Sequence, residues 1–242
     1  MGGEGKKVKL AAIGDLHVRE GDEGKWRNFF KQVSEEADIL LICGDLTDKG
    51  LLSEASILAK DLEECKIPVI AVLGNHDCEL NLEDEIKKIL HNDHVFLLDG
   101  ESIKVKGIGF AGIKGFGGGF GKYMLPLWGE KMNKQYVQEA VNNALKLDQA
   151  LTRLTAEKKV VVLHYAPIPE TLAGEHEQLY PFLGSGRLED PINQRQVLAV
   201  FHGHAHSGTL EGNTSYGVKV FNVSAKVLKK AGLNKPYFLY EI

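Results

Sequence analysis

Five short runs rich in Val, Ile, Leu and Ala break off abruptly in a polar residue, four of them through a glycine: VKLAAIGD (8–15), DILLICGD (38–45), VIAVLGN (69–75), KVVVLH (159–164) and VLAVFHGH (197–204). Each is too short for a buried helix and reads as a strand buried on both faces. Residues 24–36 (Trp26, Phe29, Phe30, Val33) and 51–65 (Leu52, Ala55, Leu58, Leu62) show helical spacing between the first three runs. Alternating strand and helix implies right-handed βαβ units and a largely parallel sheet.

The remaining stretches differ in pattern. HVFLLDGESIKVKGIGFAGIKG (94–115) alternates and predicts strands joined by a hairpin turn at Asp99-Gly100, while residues 132–155 predict one long amphipathic helix. KGFGGGFGKYMLPLWG (114–129) is glycine-rich without phosphate-loop spacing and predicts a mobile loop, with a place flanking the site as the lesser reading. GTLEGNTSYGVKVFNVSA and KPYFLYEI predict antiparallel strands. No linker or internal repeat divides residues 1–242, which read as a single domain.

Composition removes several function classes. With 43% hydrophobic and 26% charged residues the chain is neither disordered nor fibrous. Net charge is −4, and the lysine pairs (Lys6 and Lys7, Lys87 and Lys88, Lys158 and Lys159, Lys229 and Lys230) are scattered, which disfavours nucleic acid and membrane surfaces as partners. No apolar stretch approaches the ~20 residues of a spanning helix, and the residue four after Gly2 is Lys6, where a myristoylation signal wants Ser or Thr. Three cysteines, Cys43, Cys65 and Cys78, without CxxC spacing, suggest neither a disulfide framework nor a cysteine zinc site, and point to a reducing, cytoplasmic setting.

The chemistry lies where the strands stop. Their terminal polar residues are Asp15 and His17, Asp45, Asn75 with His76 and Asp77, His164, and His204 with His206. Open α/β sheets gather such residues along one edge, past the carboxyl ends of the strands. Residues two apart in extended chain point the same way, so Asp15 with His17, and His204 with His206, can each grip a common centre. Imidazole, carboxylate and amide oxygen suit Mn²⁺, Fe²⁺ or Zn²⁺. The donors outnumber the needs of one tetrahedral ion, which argues for two divalent ions ~3.5–4 Å apart. Gly44, Gly74 and Gly203 fit sharp turns against a crowded centre.

The ordered blocks D-x-H (Asp15, His17), G-D-x-x-D (Gly44, Asp45, Asp48), G-N-H-D (Gly74 to Asp77), His164 and G-H-x-H (Gly203, His204, His206) resemble the signature of the calcineurin-like metallophosphoesterases. The resemblance spans positions 14–206 and implies a four-layer α/β/β/α sandwich with a binuclear centre. It implies one metal held by Asp15, His17, Asp45 and His206, and a second by Asp45 as bridge with Asn75, His164 and His204. It implies hydrolysis of a small-molecule phosphodiester or phosphomonoester by hydroxide bridging the two ions. His76 is expected outside the metal shell as a catalytic group, with Asp77 as its orienting partner. Substitution of His76 is expected to lower turnover while leaving metal bound.

Other residues read differently. Arg187 is a candidate phosphate contact, Asp48 an organiser of the loop after Asp45, His202 structural, and His91, His94 and His176 solvent-facing. Lys49 and Leu73 stand where protein Ser/Thr phosphatases of this superfamily carry arginines, which disfavours phosphoprotein substrates. The alternatives are a non-catalytic metal-binding scaffold of the same fold, or a nuclease, against which the missing basic tract counts; oligomeric state stays open.

Overall fold

In a computed structural model, which describes residues 7–242, the five apolar runs are strands. Gly2 and Lys6, weighed above, lie outside the described residues. In chain order the elements are β1 (Lys9–Ile13), α1 (Arg27–Glu36), β2 (Ile39–Cys43), α2 (Leu52–Leu62), β3 (Val69–Val72), α3 (Glu83–Leu90), β4 (Val95–Leu97), β5 (Glu101–Val105), β6 (Ile108–Ile113) and α4 (Lys131–Arg153). There follow β7 (Lys158–Leu163), α5 (Tyr180–Leu183), α6 (Glu189–Gln194), β8 (Val197–His202), β9 (Glu211–Asn213), β10 (Lys219–Asn222), α7 (Ala225–Lys230) and β11 (Phe238–Glu241).

Among the described residues the strands form two mixed sheets, ordered β11-β1-β2-β3-β4 and β5-β6-β7-β8-β10-β9. β1 to β4 run parallel, with β11 antiparallel at the edge; β6, β7, β8 and β10 run parallel between antiparallel β5 and β9. Side-chain alternation explains the stacking. Phe110, Val160, Val162 and Phe201 join the core shared with the first sheet, while their neighbours Ala111, Val161, Leu163 and Val200 pack with Leu147, Ala150 and Leu151 of α4. Phe30, Leu58 and Ile86 bring α1, α2 and α3 onto the first sheet. The result is the expected α/β/β/α layering.

Two local expectations are corrected. Asp99-Gly100 does not close a hairpin: β4 pairs parallel to β3, and β5 pairs with β6, so the chain changes sheets at this turn. The hairpin closes at Lys106-Gly107, where φ values of 48° and 83° give two successive left-handed residues, as a tight two-residue turn requires. The C-terminal strands are not one antiparallel set. β10 pairs antiparallel with β9 but parallel with β8, and β11 crosses to pair antiparallel with β1. No helix among the described residues is long and apolar enough to cross a membrane.

Candidate metal centre

The carboxyl ends of β1, β2 and β3 lead into loops that are laced together before they meet the second sheet. Asp15 N donates to Gly44 O (3.0 Å) and His17 N to Asp45 O (3.0 Å), so the loops after β1 and β2 run side by side. Seven non-glycine residues among those described have positive φ, and four of them are Asp15 (61°), His17 (45°), Asp45 (49°) and His204 (69°). Left-handed backbone costs roughly 1–2 kcal/mol for an ordinary residue. Strain gathered on the polar strand ends is the pattern of a site whose surroundings hold it in place.

Glycine makes the close approach possible. Gly44 has φ +81°, and a Cβ there would lie 2.4 Å from His164 Nδ1; at Gly74 it would lie 2.1 Å from Asp45 Oδ1, and at Gly203 2.7 Å from Asp15 Oδ2. The expectation of sharp turns at these three positions is met with contacts that no side chain could tolerate.

Three groups of side chains come within 4.8 Å of one another: Asp15 with His17 and His206; His17 with Asp45 and His76; and Asp45 with His164 and His204. Asp15 Oδ1 lies 3.1 Å from His206 Nε2, and Asp45 Oδ2 lies 3.7 Å from His17 Nε2. His164 Nε2 is 3.4 Å from Asp45 Oδ1 and 2.9 Å from Asn75 Oδ1, which adds Asn75 to the last group. Asp45 and His17 each belong to two groups, so the clusters form one continuous centre. It contains all seven residues expected as ligands.

Hydrogen bonds set the tautomers. His164 Nδ1 lies 2.9 Å from Cys43 O; a carbonyl only accepts, so Nδ1 carries the proton and the Nε2 lone pair faces Asp45 and Asn75. Asp15 accepts from His204 N at 3.0 Å, and Asp45 from His76 N at 2.9 Å. Burial alone would raise Asp15, but the His206 hydrogen bond and the neighbouring imidazoles outweigh it and hold its carboxyl at about 2. Burial beside His164 pushes His204 down to about 3, and burial also lowers His17 against the pull of Asp45. These groups are therefore carboxylates and neutral imidazoles at neutral pH, the forms that bind metal. His17 Nδ1 is buried without a hydrogen bond, 3.5 Å from Asp48 Oδ1. The donor set and this orphaned nitrogen fit divalent metal ions.

His76 sits at the margin, its ring edge-on to His17 with centroids 4.5 Å apart. Nδ1 lies 2.6 Å from Asp48 O and must donate to it. Burial lowers its proton affinity, but this bond and the Asp45, Glu79 and Asp48 carboxylates reverse the effect and raise it.

The expectation for Asp77 is corrected. Its carboxylate, fully buried, accepts from Leu46 N (3.1 Å), Thr47 N (2.8 Å), Thr47 Oγ1 (2.6 Å) and Gly74 N (2.8 Å). It fastens the loop after β2 to the loop after β3, and Asp48 O takes the part of orienting His76. Arg187 is corrected as well. Its Nη2 donates to Leu125 O at 2.8 Å and its Nη1 is buried, so the guanidinium ties down the glycine-rich loop. That loop is stitched rather than loose, through Gly118 N to Pro181 O (2.6 Å), Gly119 N to Gly184 O (2.9 Å) and Gly186 N to Gly119 O (3.0 Å). His94 is half-buried, whereas His91 and His176 are exposed as expected. His202 is buried and bonded to Thr171 Oγ1 at 2.8 Å. Asp48 takes Arg19 Nε at 3.0 Å beside His17, in keeping with its expected part in the loop.

Sequence reasoning missed Tyr165 and Phe182. The Tyr165 ring lies 4.4 Å from that of His204 and 5.5 Å from that of His164, and Phe182 O lies 3.2 Å from His204 Nε2. The only available signal was Tyr165 following a candidate ligand directly; nothing local marks Phe182.

Paired sheets with a carboxylate, imidazole and amide centre at the strand ends define an α/β protein built to hold divalent metal. Residues 8–208 match the family described as Calcineurin-like phosphoesterase, and the chain belongs to that family, one of phosphoester hydrolases. A "Probable cyclic nucleotide phosphodiesterase" of Ruthia magnifica subsp. Calyptogena magnifica is 26% identical over 87% of this chain and 81% of its own. A protein of similar name from Fibrobacter succinogenes is 31% identical, but the match spans 41% of this chain and 44% of the relative. The crystal structure of Phosphopantetheinyl Hydrolase (PptH) from Mycobacterium tuberculosis has the same fold, with a TM-score of 0.67, 14% identity and coverage of 96% of this chain and 95% of that one.

Proposed function

We propose that the chain is a binuclear phosphodiesterase acting on small-molecule phosphodiesters, with one ion held by Asp15, His17, Asp45 and His206 and the other by Asp45, Asn75, His164 and His204. The single observation that carries this reading is the position of Asp45 between the two donor sets, with Oδ2 3.7 Å from His17 Nε2 and Oδ1 3.4 Å from His164 Nε2. When bound, such ions neutralise phosphate oxygens and bring the pKa of water from ~15.7 toward ~7. The protein supplies the geometry. Asp15 and Asp45 are held by the amides of His204 and His76, and His164 is fixed in one tautomer by Cys43 O. His76, whose Nδ1 proton is pinned on Asp48 O, presents Nε2 to the phosphoryl group or the departing alkoxide and steadies the charge that develops there. The names of the relatives make cyclic nucleotides the first substrates to try, and the buried free cysteines fit work in a reducing cytoplasm.

The test is hydrolysis of bis-p-nitrophenyl phosphate against p-nitrophenyl phosphate by protein reconstituted separately with Mn²⁺, Fe²⁺, Zn²⁺ and Mg²⁺, beside Asn75→Ala. Preference for the diester, lost in the variant, is the expected result. No activity with any metal would overturn the reading in favour of a scaffold.

A further inference from the structure

β10 ends in Asn222, a residue outside the proposed ligand set, whose side chain is fully buried and bonded to backbone alone. Its Nδ2 donates to Ala205 O (2.8 Å) and Thr171 O (3.4 Å), and its Oδ1 accepts from Ser224 N (3.1 Å). Carbonyls only accept and a backbone N–H only donates, so these partners leave the amide one orientation. The first bond falls inside the centre. Ala205 stands between His204 and His206, the two imidazoles of one loop. His204 is held at φ 69°, and strained backbone persists only where its surroundings over-determine it. Ala205 O also accepts from Gly208 N at 3.2 Å, but that bond closes the loop on itself, whereas Asn222 anchors it to a strand.

The other side of Asn222 leads to the first sheet. Val223 N donates to His202 O (2.7 Å), Gly14 N to Val223 O (2.8 Å) and Ala225 N to Gly14 O (3.1 Å), so residues 222–225 lie between the end of β8 and the end of β1. Ser224, whose N is bonded to Asn222 Oδ1, pairs in parallel with Gly14, the residue before Asp15. Asp15 in turn accepts from His204 N (3.0 Å) and lies 3.1 Å from His206 Nε2. One buried amide thus joins the loop that carries two imidazoles to the segment from which the Asp15 carboxylate departs.

We propose that Asn222 is a positioning residue for both metal ions, holding the loop of His204 and His206 against Asp15 through its bond to Ala205 O. The inference rests on the two-ion reading, which gives His206 to one ion and His204 to the other, and adds a residue through which both are tuned together. Freed of this bond, the loop relaxes the left-handed backbone at His204, and each ion loses the aim of one imidazole. Groups that orient metal ligands account for about 10–100-fold in affinity.

The experiment measures metal affinity apart from turnover. The metal-free full chain is dialysed against increasing Mn²⁺ and the bound ions are counted. In Asn222→Ala both ions should bind about 10–100-fold more weakly than in the wild type. Asn222→Ser keeps an oxygen that can accept from Ser224 N in the same local turn, but is too short to reach Ala205 O. It should show the same loss, and it takes the place of the alanine variant if that chain does not fold. Asn143→Ala is the control: its amide is also buried, at 4% exposure, and bonds to Glu139 of its own helix. That variant should lower the unfolding temperature of the metal-free chain and leave Mn²⁺ affinity as it was. Unchanged affinity in a folded Asn222 variant, weakening of one of two ions alone, or an equal loss in Asn143→Ala would overturn the inference. A wild-type chain that takes up a single ion would overturn the two-ion reading instead, and Asn222→Ala should then weaken that ion; uptake of none would overturn both.

Discussion

The two sheets contribute to the centre in different currencies of chemistry. The loops after β1, β2 and β3 bring both carboxylates, and with them most of the left-handed backbone: Asp15, His17 and Asp45. The ends of β7 and β8 bring imidazoles, with His164 fully buried at a regular strand end and His204 alone strained. One side is thus shaped by loops that must be forced together, the other by strands that need only stop in the right place. Both charges come from the costly side, together with the neutral donors His17 and Asn75, and the cheaper side gives neutral lone pairs alone.

That contrast can be broken at its most loaded point. Asp77 holds four donors from the loops of the first sheet, so Asp77→Ala should destabilise the protein by ~3–5 kcal/mol, read by urea denaturation, because each stranded buried donor costs ~1–3 kcal/mol. A loss under 1 kcal/mol would show that the loops hold without it. Gly44→Ala attacks the seam between the sheets, where a methyl group would press on His164; a cost of ~3 kcal/mol is expected from overpacking and backbone strain together. Gly107→Ala, at φ +83° with nothing within 4 Å, should cost only the ~1–2 kcal/mol of strain. Equal losses at the two positions would remove the seam from the account.

His76→Gln tests the margin of the site rather than its frame. Turnover should fall by ~10²-fold with metal content by elemental analysis unchanged; loss of metal would make His76 a ligand instead.

The smallest effect belongs to the turn where the chain leaves one sheet for the other. Asp99 Oδ2 lies 2.8 Å from Lys87 Nζ. Burial would raise Asp99, but the Lys87 bond and charge hold it below its usual value; burial would lower Lys87, but Asp99 raises it. The carboxyl is lowered, so its contribution is present above pH ~4 and fades as pH falls through the folded value; the amine is raised, so its contribution is lost above pH ~10.4. Asp99→Asn should reduce stability by ~0.5 kcal/mol between those limits and leave the acid limb flatter. An unchanged acid limb would sever the pair from stability.

Legibility in the sequence followed the same division. Strands that end in a polar residue after a buried run could be read directly, because burial on both faces writes itself as a continuous apolar stretch, and those ends carried every residue of the centre. Partners could not be read. Asp99-Gly100 has the local chemistry of a hairpin, yet the pairing preferences of β4 and β5 lie in different sheets, and Lys106-Gly107 makes the turn although lysine gives no sign of favouring left-handed backbone. Asp77 and Arg187 were misjudged for a related reason: their residue type suits catalysis or phosphate binding, but their donors and acceptors are supplied by loops distant in sequence. Phe182 enters the site through its carbonyl, which every residue possesses.

The bond from His204 N to the Asp15 carboxylate joins residues 189 apart, and that from His206 spans 191. Contacts of such separation must wait for nearly the whole chain to be ordered, since loop closure has to be met before they give anything back. A folding polypeptide therefore has at most a fragment of this centre to offer, the His17, Asp45 and His76 group borne by the loops of the first sheet. Early structure can form within either sheet, but the full set of donors comes together only with their docking, which in a refolding experiment would time the birth of the finished molecule.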